Sequence, residues 1–350
     1  MAEKKNDKSA ITLKEIAESS GVSIATVSRV LRNQASRYRI RTETVNTVLA
    51  VAKRLGYTSN SIKEDFQFQD TYTIGLIVPD ISNPFFAAIA QRIEIEGRKN
   101  HYLIILSDSL RDITLEKESV TLLRHRNVDG FIIAPLGLEH QHLNRLCEEG
   151  IPIAMFDRFF KNMKCPYVTS DNYRGAFEAV SYLIENGHRS IACIQGLAKT
   201  SVNEGRVRGY IDALKSHSLS IDKSLIVGDS FTEYNGYVNT KILLNRKKRP
   251  TAIFAANNFI SIGSYRAIVE EDIQIPDEIS FIGFDDYHPY SELVTPPLTT
   301  VRQQVEEMGH IVFQLLMNQI KSDKKTTMLN NVILPTKLIV RKSVRNISQS

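Results

Sequence analysis

The sequence has few cysteines and no apolar run long enough to cross a membrane. A membrane-spanning helix needs about 20 predominantly apolar residues, so we expect no membrane contact. The first residues, Met1–Lys8, are polar and lack the apolar core of a secretory signal. Cys147, Cys165 and Cys193 show no CxxC or metal-binding spacing, which predicts buried thiols in a reducing compartment. We therefore expect a cytoplasmic protein.

Motifs of the common nucleotide-binding and hydrolytic enzymes are also missing. The sequence contains no GxGxxG, P-loop, GxSxG or HExxH. His140 and His142 form a close pair but lack further metal ligands nearby. Asp285 and Asp286 are adjacent carboxylates, yet neighbouring residues at a strand end point in different directions. We therefore predict that the protein is not an enzyme, and we predict no cofactor and no metal site.

The excess positive charge lies in the first fifth of the chain. Residues 1–66 hold 12 Lys and Arg against 7 Asp and Glu, whereas residues 67–350 hold 32 of each kind. Modules that bind DNA are rich in Lys and Arg because these side chains displace the counterions of the phosphates. The charge therefore favours a phosphate-facing module, with a solvated basic tail as the alternative.

This basic region shows the pattern of three short helices. Thr12 and Glu15 form a capping box at the start of the first helix, and Gly21 suits the left-handed turn that would end it. Ser23 caps a second helix. A third helical pattern spans roughly Thr44–Leu55, with Val45, Val48, Leu49 and Ala52 predicted to face inward. Two short helices joined by a Gly-containing turn are typical of a helix-turn-helix.

The outer face of the second helix carries candidate DNA contacts. Arg29 can bond the O6 and N7 atoms of guanine together, and Ile24 and Ala25 can meet a thymine methyl group. Asn33, just beyond this helix, is a further predicted DNA contact. The hydroxyl groups that we expect to face phosphates are those of Thr12, Ser23, Thr26 and Ser28.

Residues 11–31 resemble the signature of the lac-repressor (LacI) family. The matching segments are Thr12–Ala17 and Gly21–Leu31, and Arg54–Tyr57 at the end of the third helix matches as well. The resemblance implies that residues 1–58 form a helix-turn-helix domain. It further implies a homodimer that reads a pseudo-palindromic operator in double-stranded DNA.

Two segments depart from the family pattern. Arg32–Glu43 is slightly longer than in typical relatives and rich in arginine, which favours an enlarged basic loop beside the phosphates over a merely solvated one. Residues 59–71 form the predicted linker, in which Ser59–Phe66 keeps only Asn60 of the family's hinge helix. Phe66 stands where relatives place a minor-groove Leu, and Phe is a known intercalating wedge. A plain linker is the alternative.

From residue 72 onward, short apolar runs alternate with helical patterns such as Phe86–Lys99 and Ala176–Glu185. This alternation predicts parallel sheets covered by helices on both faces. The runs are Ile74–Val78, Leu103–Leu106, Gly130–Ala134, Ile153–Phe156, Ile191–Ile194, Ala252–Ala255 and Ile279–Phe284.

Polar and aromatic residues follow several of these runs, where the ligands of open α/β sheets gather. Carboxylates and guanidinium groups can hydrogen-bond neighbouring hydroxyls in pairs, and aromatic rings can cover the C–H faces of a sugar. The set therefore indicates a monosaccharide site, although ordinary helix caps would also explain single members. Its members are Asp80, Asn83, Phe85, Phe86, Asp157, Arg158, Asn257, Asp285 and Asp286.

Residues 72–345 resemble the effector domain of the same family, which is similar to the periplasmic sugar-binding proteins. Ribose-binding relatives place their sugar contacts at the matching positions, and Asn83 falls among them. The resemblance implies hydrogen bonds from Asp157, Arg158, Arg206, Asn257, Asp285 and Gln303, with Phe85, Phe86 and Phe231 against the ligand's faces. Asn258 departs from the family, because most relatives have Asp there.

The expected architecture is an all-α helix-turn-helix domain followed by an α/β periplasmic-binding-protein-like domain of two Rossmann-like subdomains. We expect the first subdomain at about 72–158 and 289–320, and the second at about 159–288 and 321–345. The expected function is a repressor whose operator affinity is controlled by a small, ribose-like sugar. Another hexose, a disaccharide or a phosphosugar stays open as the effector, and a sugar-binding protein without a DNA role is the alternative.

Overall fold

The computed structural model describes residues 11–31, 35, 40–55, 57, 71–321 and 331–348. Asn33, Phe66, the hinge segment 59–66 and most of the predicted basic loop lie outside these residues. Within them, no helix has the length and apolar character needed to cross a membrane, and no group of His, Cys, Asp or Glu is placed to hold a metal ion. The contacts divide the chain into two units, residues 1–71 and 72–350.

The first unit contains the three predicted helices: α1 (Leu13–Ser20), α2 (Ile24–Leu31) and α3 (Thr42–Leu55). The capping box is present, because Thr12 accepts from the Glu15 N–H while the Glu15 carboxylate accepts from the Thr12 N–H. Gly21 ends α1 with φ 68°, in the left-handed region that glycine adopts without a steric penalty. The helix-turn-helix pattern is thus confirmed in its local geometry.

The core of the first unit differs from the sequence expectation at one point. Ile16, Val27 and Val48 are fully buried where the three helices meet. The sequence predicts that Leu49 on α3 faces inward, but Leu49 is 47% exposed, and Val51 is buried instead. Positions 48, 51 and 52 share one helical face, whereas position 49 lies one residue out of that period.

The second unit contains two six-stranded sheets. The strands are β1 (Thr73–Val78), β2 (Leu103–Asp108), β3 (Gly130–Ile133), β4 (Ile153–Phe156), β5 (Tyr167–Ser170), β6 (Ile191–Ile194), β7 (Ile226–Val227), β8 (Ala252–Ala255), β9 (Ser280–Phe284), β10 (Thr299–Arg302), β11 (Val332–Leu334) and β12 (Lys337–Ile339). Sheet 1 has the order β11-β5-β4-β3-β1-β2, and all its strands are parallel. Sheet 2 has the order β12-β10-β9-β8-β6-β7 and is parallel except for the pairing of β10 with β12.

Helices cover both faces of each sheet, as the alternating pattern predicts. The helices are α4 (Pro84–Lys99), α5 (Ile113–His125), α6 (Gln141–Glu148), α7 (Asn172–Glu185), α8 (Ser201–Ser216), α9 (Glu233–Leu244), α10 (Asn258–Glu270), α11 (Tyr290–Leu293) and α12 (Val305–Lys321). On sheet 1, α4 and α12 pack on one face, and α5 and α6 pack on the other. On sheet 2, α7 and α8 pack on one face, and α9 and α10 pack on the other.

The sheets define two discontinuous subdomains. The N-subdomain comprises residues 72–170, 305–321 and 331–334, and the C-subdomain comprises residues 171–302 and 337–348. The chain therefore crosses after β5, after β10 and between β11 and β12, later than the sequence estimates near 158, 288 and 321. The reason is strand pairing: β5 pairs with β4 and stays in sheet 1, and β10 pairs with β9 and stays in sheet 2.

Five strands had no counterpart among the predicted apolar runs: β5, β7, β10, β11 and β12. Each has two to four residues, and β5, β10 and β12 include polar side chains. β7, β11 and β12 are edge strands, and β5 and β10 lie next to an edge. Strands at the edge of a sheet are often short and carry polar side chains. A short, mixed sequence of this kind carries too little periodicity to be distinguished from a loop.

Glycine allows α9 and α10 to cross closely in the C-subdomain. A Cβ atom at Gly263 would lie 1.9 Å from the carbonyl oxygen of Glu233, and one at Gly236 would lie 2.2 Å from the carbonyl oxygen of Ile260. Two backbones therefore touch here without side chains between them. The position of α10 matters for the ligand site, because its first turn borders the cavity described below.

We predict that Gly263→Ala lowers the free energy of unfolding by about 1–3 kcal/mol, because the added methyl group must push α9 and α10 apart. Urea denaturation followed by circular dichroism measures the effect. Val269→Ala on the exposed side of the same helix is the control and should change stability by less than about 0.5 kcal/mol. A loss at Gly263 no larger than that of the control would contradict the close crossing.

Candidate functional site

A cavity of about 630 Å³ lies between the N-subdomain and the C-subdomain. Its lining includes all ten residues to which the family resemblance assigns effector contacts: Asn83, Phe85, Phe86, Asp157, Arg158, Arg206, Phe231, Asn257, Asp285 and Gln303. Asp80 of the strand-end set lines the cavity as well, whereas Asp286 does not, because its carboxylate pairs with Arg302 and Arg341. These residues follow different strands and helices of both subdomains. The carboxyl ends of the two sheets therefore meet at one site, as expected for ligand sites of open α/β sheets.

The start of α4, the first helix of the N-subdomain, forms one wall of the cavity. Asn83 is the N-cap of α4, and its side-chain oxygen accepts a hydrogen bond of 3.0 Å from the Phe85 N–H. Pro84 follows at the first helical position, where its fixed φ suits the turn. The rings of Phe85 and Phe86 pack edge to face with centroids 5.1 Å apart. The helix start thus fixes one amide and two aromatic rings beside the cavity.

Asp157 and Arg158 follow β4 directly. Asp157 has φ 61°, an unusual conformation for a residue with a side chain, and it turns the chain sharply at the end of the strand. Arg158 donates from Nη1 to the Leu136 carbonyl at 2.9 Å, and its Nε lies 3.6 Å from Asp157 Oδ2. The buried Nε has no hydrogen-bond partner within the described part of the chain.

Burial raises the pKa of the Asp157 carboxyl to about 6. The neighbouring Arg158 and Arg206 oppose this shift, and the negative charge of Asp285 adds to it. The side chain is therefore a strong hydrogen-bond acceptor at neutral pH that takes up a proton in mildly acidic solution.

Arg206 is held rigidly on α8. Its Nε donates to Asn172 Oδ1 at 2.7 Å, and its Nη1 donates to the Ala256 carbonyl at 2.6 Å. The guanidinium carbon lies 3.8 Å from the centroid of the Phe284 ring. Backbone, amide and ring together fix the plane of this cation, so that its position beside the cavity does not depend on a ligand.

Asp285 and Gln303 face each other at the ends of β9 and β10. Gln303 Nε2 donates to Asp285 Oδ1, and the Asn258 N–H donates to Asp285 Oδ2 at 3.1 Å. The buried Oε1 of Gln303 has no hydrogen-bond partner among the described residues. Asn257 caps α10 by accepting from the Ile260 N–H at 2.9 Å. This side of the cavity therefore carries one carboxylate and two side-chain amides.

Phe231 is seated on a glycine. A Cβ at Gly196 would come within 2.1 Å of the Phe231 ring, so only glycine leaves room for the ring at this place. The Arg158 guanidinium lies 5.2 Å from the ring centroid. Phe231 in the C-subdomain thus contacts a cation of the N-subdomain across the cavity.

Further contacts join the two subdomains beside the cavity. Asn83 and Asn258 form a reciprocal amide pair, in which Asn258 Nδ2 donates to Asn83 Oδ1 at 2.8 Å and Asn83 Nδ2 donates to Asn258 Oδ1 at 3.3 Å. Arg111 pairs with Asp80 and lies 5.4 Å from the Phe259 ring centroid. The departure at Asn258 thus has a structural role, because an aspartate there would lack the donor for Asn83.

Sequence reasoning missed the apolar part of the lining. The strand-end rule could have indicated these residues by position, since they follow β2, β3 and β6, but single aliphatic side chains carry no sign of a ligand site. The missed apolar residues are Leu110, Ile113, Leu136, Leu138, Leu197 and Val202. The polar residues Arg111, Asp112, Ser230 and Thr232 also line the cavity without having been predicted.

In the first unit, the predicted reading face of α2 is exposed. Ile24 is 48% exposed, and Ala25 and Arg29 are exposed as well. Ser23 accepts from the Thr26 N–H at 3.2 Å, so these two predicted contacts meet at the start of the helix. Ser28 and Thr12 are half-buried, and the hydroxyl of Thr12 belongs to the capping box of α1.

Two family models match parts of the chain. Residues 12–60 match the model of bacterial regulatory proteins of the lacI family, and residues 180–344 match the model of a periplasmic binding protein-like domain. The first match contradicts the alternative of a sugar-binding protein without a DNA role.

Individual relatives align over almost their whole length. The HTH-type transcriptional regulator DegA of Bacillus subtilis is 33% identical over 95% of this chain and 97% of its own. The ribose operon repressor of Haemophilus influenzae is 29% identical over 95% of this chain and 98% of its own. A LacI-family regulator of Enterococcus faecium, solved with bound ribose, has a TM-score of 0.71 and 30% identity, and it covers 79% of this chain and 100% of its own.

We predict that Asp157→Asn makes the stability of the protein less dependent on pH. The folded pKa of about 6 exceeds the ordinary value of 3.8, so the stability contributed by the protonated carboxyl is complete below 3.8 and is lost as the pH rises through 6. From about pH 5 to pH 8 the wild type should lose about 1 kcal/mol relative to the variant.

Urea denaturation at the two pH values measures this difference. Asp277→Asn, which changes an exposed carboxylate of the C-subdomain, serves as the control and should leave the pH dependence unchanged. A constant gap between wild type and Asp157→Asn would show that the carboxyl ionises normally.

Proposed function

Because the chain belongs to the lacI family of bacterial regulatory proteins, it is a DNA-binding transcriptional regulator, and we propose that it is a repressor controlled by a ribose-like monosaccharide. The observation that carries the proposal is the convergence of all predicted sugar contacts on one cavity between the subdomains. A relative solved with bound ribose supports the choice of a pentose.

The chemistry of the cavity suits vicinal hydroxyl groups. In our proposal Asp157 and Asp285 accept hydrogen bonds from sugar hydroxyls, and the Arg158 guanidinium donates to them. Arg206, Asn257 and Gln303 complete the polar contacts. Phe85, Phe86 and Phe231 cover the apolar faces of the ring. None of these roles requires a metal or a cofactor.

Ligand binding can be coupled to DNA binding because the cavity lies between the N-subdomain and the C-subdomain. A sugar that contacts both subdomains stabilises one arrangement of them over others, and that preference is the only means by which it can shift DNA affinity. The pair Asn83–Asn258 and the contact of Arg111 with Phe259 also span the two subdomains. We propose that the ligand acts together with these contacts.

We further propose that the protein acts as a homodimer in the bacterial cytoplasm, on a pseudo-palindromic operator. The outer strand of sheet 1 supports a partner surface, because Leu103 and Leu106 on β2 and Leu122 on α5 are exposed. An exposed apolar edge strand is otherwise a liability for a monomer. A two-fold dimer would present α2 of each protomer to one half-site.

We predict that Arg29→Ala weakens binding to the operator by about 1–3 kcal/mol, because a base-reading arginine distinguishes guanine from other bases. Binding to random DNA should change far less. Fluorescence anisotropy measures both affinities, with the operator selected by the wild type from a random pool, and the stoichiometry should be two protomers per site.

Lys53→Ala, at an exposed position of α3, is the matched control because it removes a positive charge without a predicted base contact. It should change both affinities by the same factor. An equal loss of operator and random binding in Arg29→Ala would show that Arg29 contacts only the backbone of DNA.

We predict that ribose binds the wild type and that Asp157→Asn weakens this binding about tenfold or more, because a charge-assisted hydrogen bond is lost. Isothermal titration calorimetry with pentoses, hexoses and phosphosugars measures it. Asp277→Asn should bind as the wild type does, and Asp157→Asn should retain its affinity for DNA without sugar. The absence of binding for every sugar tested would refute the effector class.

A further inference from the structure

Glu116 is a fully buried carboxylic acid on α5 of the N-subdomain. It does not belong to the lining of the cavity and is therefore not among the candidate ligand contacts. A carboxylate without solvent is stable only where the protein supplies hydrogen-bond donors or opposite charge. The donors around Glu116 therefore identify the part of the structure that it holds in place.

Two donors reach this carboxylate. Oε2 accepts from the Leu136 N–H at 2.8 Å, and Oε1 lies 2.8 Å from Nε2 of His142 on α6. Because an ionised carboxylate only accepts hydrogen bonds, Nε2 is the donor in this pair. The side chain of His142 is 10% exposed, so water competes little with either bond. Glu116 thus ties α5 and α6 to the segment that follows β3.

The backbone of Leu136 connects Glu116 to the cavity. Its N–H donates to Glu116, and its carbonyl accepts from Arg158 Nη1 at 2.9 Å. Leu136 and Arg158 both line the cavity. The two backbone groups flank the same Cα atom, so a shift of the Leu136 N–H also moves the acceptor that orients the Arg158 guanidinium.

The charge of Glu116 acts on Arg158 as well. Burial lowers the pKa of the Arg158 guanidinium, and the positive charge of Arg206 lowers it further. The negative charges of Asp157 and Glu116 oppose both effects. Glu116 therefore helps to keep a buried cation charged at the cavity, in addition to its bond to the backbone.

The chain segments joined by the bond from Arg158 also meet the C-subdomain. The Phe159 N–H donates to the Ser201 hydroxyl at 3.2 Å. Gly137 packs closely on Thr200, since a Cβ atom at this glycine would lie 3.0 Å from Cγ2 of the threonine. Thr200 and Ser201 form the start of α8. The backbone that is held in this way is therefore adjacent to contacts between the subdomains.

We propose that Glu116 is a positioning residue of the effector site, which acts through Leu136 to hold the Arg158 guanidinium in place for a ligand. The inference rests on the proposed sugar site, because the position of Arg158 matters only if Arg158 contacts the sugar. Without Glu116, the guanidinium has to be ordered when the ligand binds, and that ordering lowers the affinity.

The ribose affinity of the full chain, measured by calorimetry, tests the effect on the site. Glu116→Ala should weaken ribose binding about tenfold, because Arg158 loses its support. Glu116→Gln keeps an oxygen that can accept from the Leu136 N–H, so it should restore the affinity to within about threefold of the wild type. Glu118→Ala, at an exposed carboxylate of the same helix, is the control and should bind ribose as the wild type does.

His142→Ala is a second variant that acts on the same carboxylate. It leaves Glu116 in the chain but removes one of its two donors, at a position less buried than Glu116 itself. We expect ribose binding to weaken about threefold, whereas His125→Ala, at an exposed histidine of α5, should leave it unchanged. If Glu116→Ala does not fold, this variant decides the proposal, and an affinity equal to that of His125→Ala would then contradict it.

A double-variant cycle in urea denaturation tests the connection to Arg158 without a ligand. If Glu116 holds Arg158, the shift of the urea midpoint caused by Arg158→Ala should fall to about half or less in the Glu116→Ala background. Glu118→Ala replaces Glu116→Ala in the control cycle, in which the two shifts should add.

The outcomes separate this inference from the proposed function. Additive midpoints for Glu116→Ala and Arg158→Ala would overturn the inference. So would an unchanged ribose affinity in Glu116→Ala, which would leave the sugar site intact and give Glu116 a structural role alone. If the wild type binds no ribose, the proposed effector fails, whereas the midpoints still decide whether Glu116 holds Arg158.

Discussion

The proposed ligand site depends on one constraint, which is that the carboxyl ends of two largely parallel sheets face the same space. Each subdomain is discontinuous, and the connections after β5, after β10 and between β11 and β12 hold the sheets together. Loops that follow β4, β8 and β9 consequently place Asp157, Asn257 and Asp285 in one cavity, although they are far apart along the chain. A change in the relation of the two sheets alters the contacts that join the subdomains, such as the Asn83–Asn258 pair.

Buried charged side chains make the relative position of the subdomains sensitive to a ligand in the cavity. Burial raises the pKa of the Asp157 carboxyl to about 6, while hydrogen bonds to Asn172 and the Ala256 carbonyl fix the Arg206 guanidinium. Hydroxyl groups that bond such side chains replace the solvation lost on burial. Because the groups belong to both subdomains, ligand binding and the relative position of the subdomains are thermodynamically linked. That linkage is what a regulator with a separate DNA-binding unit needs.

The regular elements could be predicted in proportion to their periodicity. Long apolar runs such as β1 and β9 and capped helices such as α1 were recognisable, because local sequence carries the pattern. The short strands β5 and β10 were not, and missing them displaced the predicted crossings. On α3, Val51 rather than Leu49 is buried, because only the packing of three helices selects which apolar stripe faces inward.

Local chemistry in the sequence was sufficient for the family, for the helix-turn-helix with its cap at Thr12 and turn at Gly21, and for the polar residues of the cavity, since these depend on motifs and on strand ends. Folding alone decided how those residues meet. It paired Asn83 with Asn258 across the subdomains and brought Leu110 and Leu138 to the same cavity. The physical reason is that such contacts join segments distant along the chain, and no local pattern encodes their separation in space.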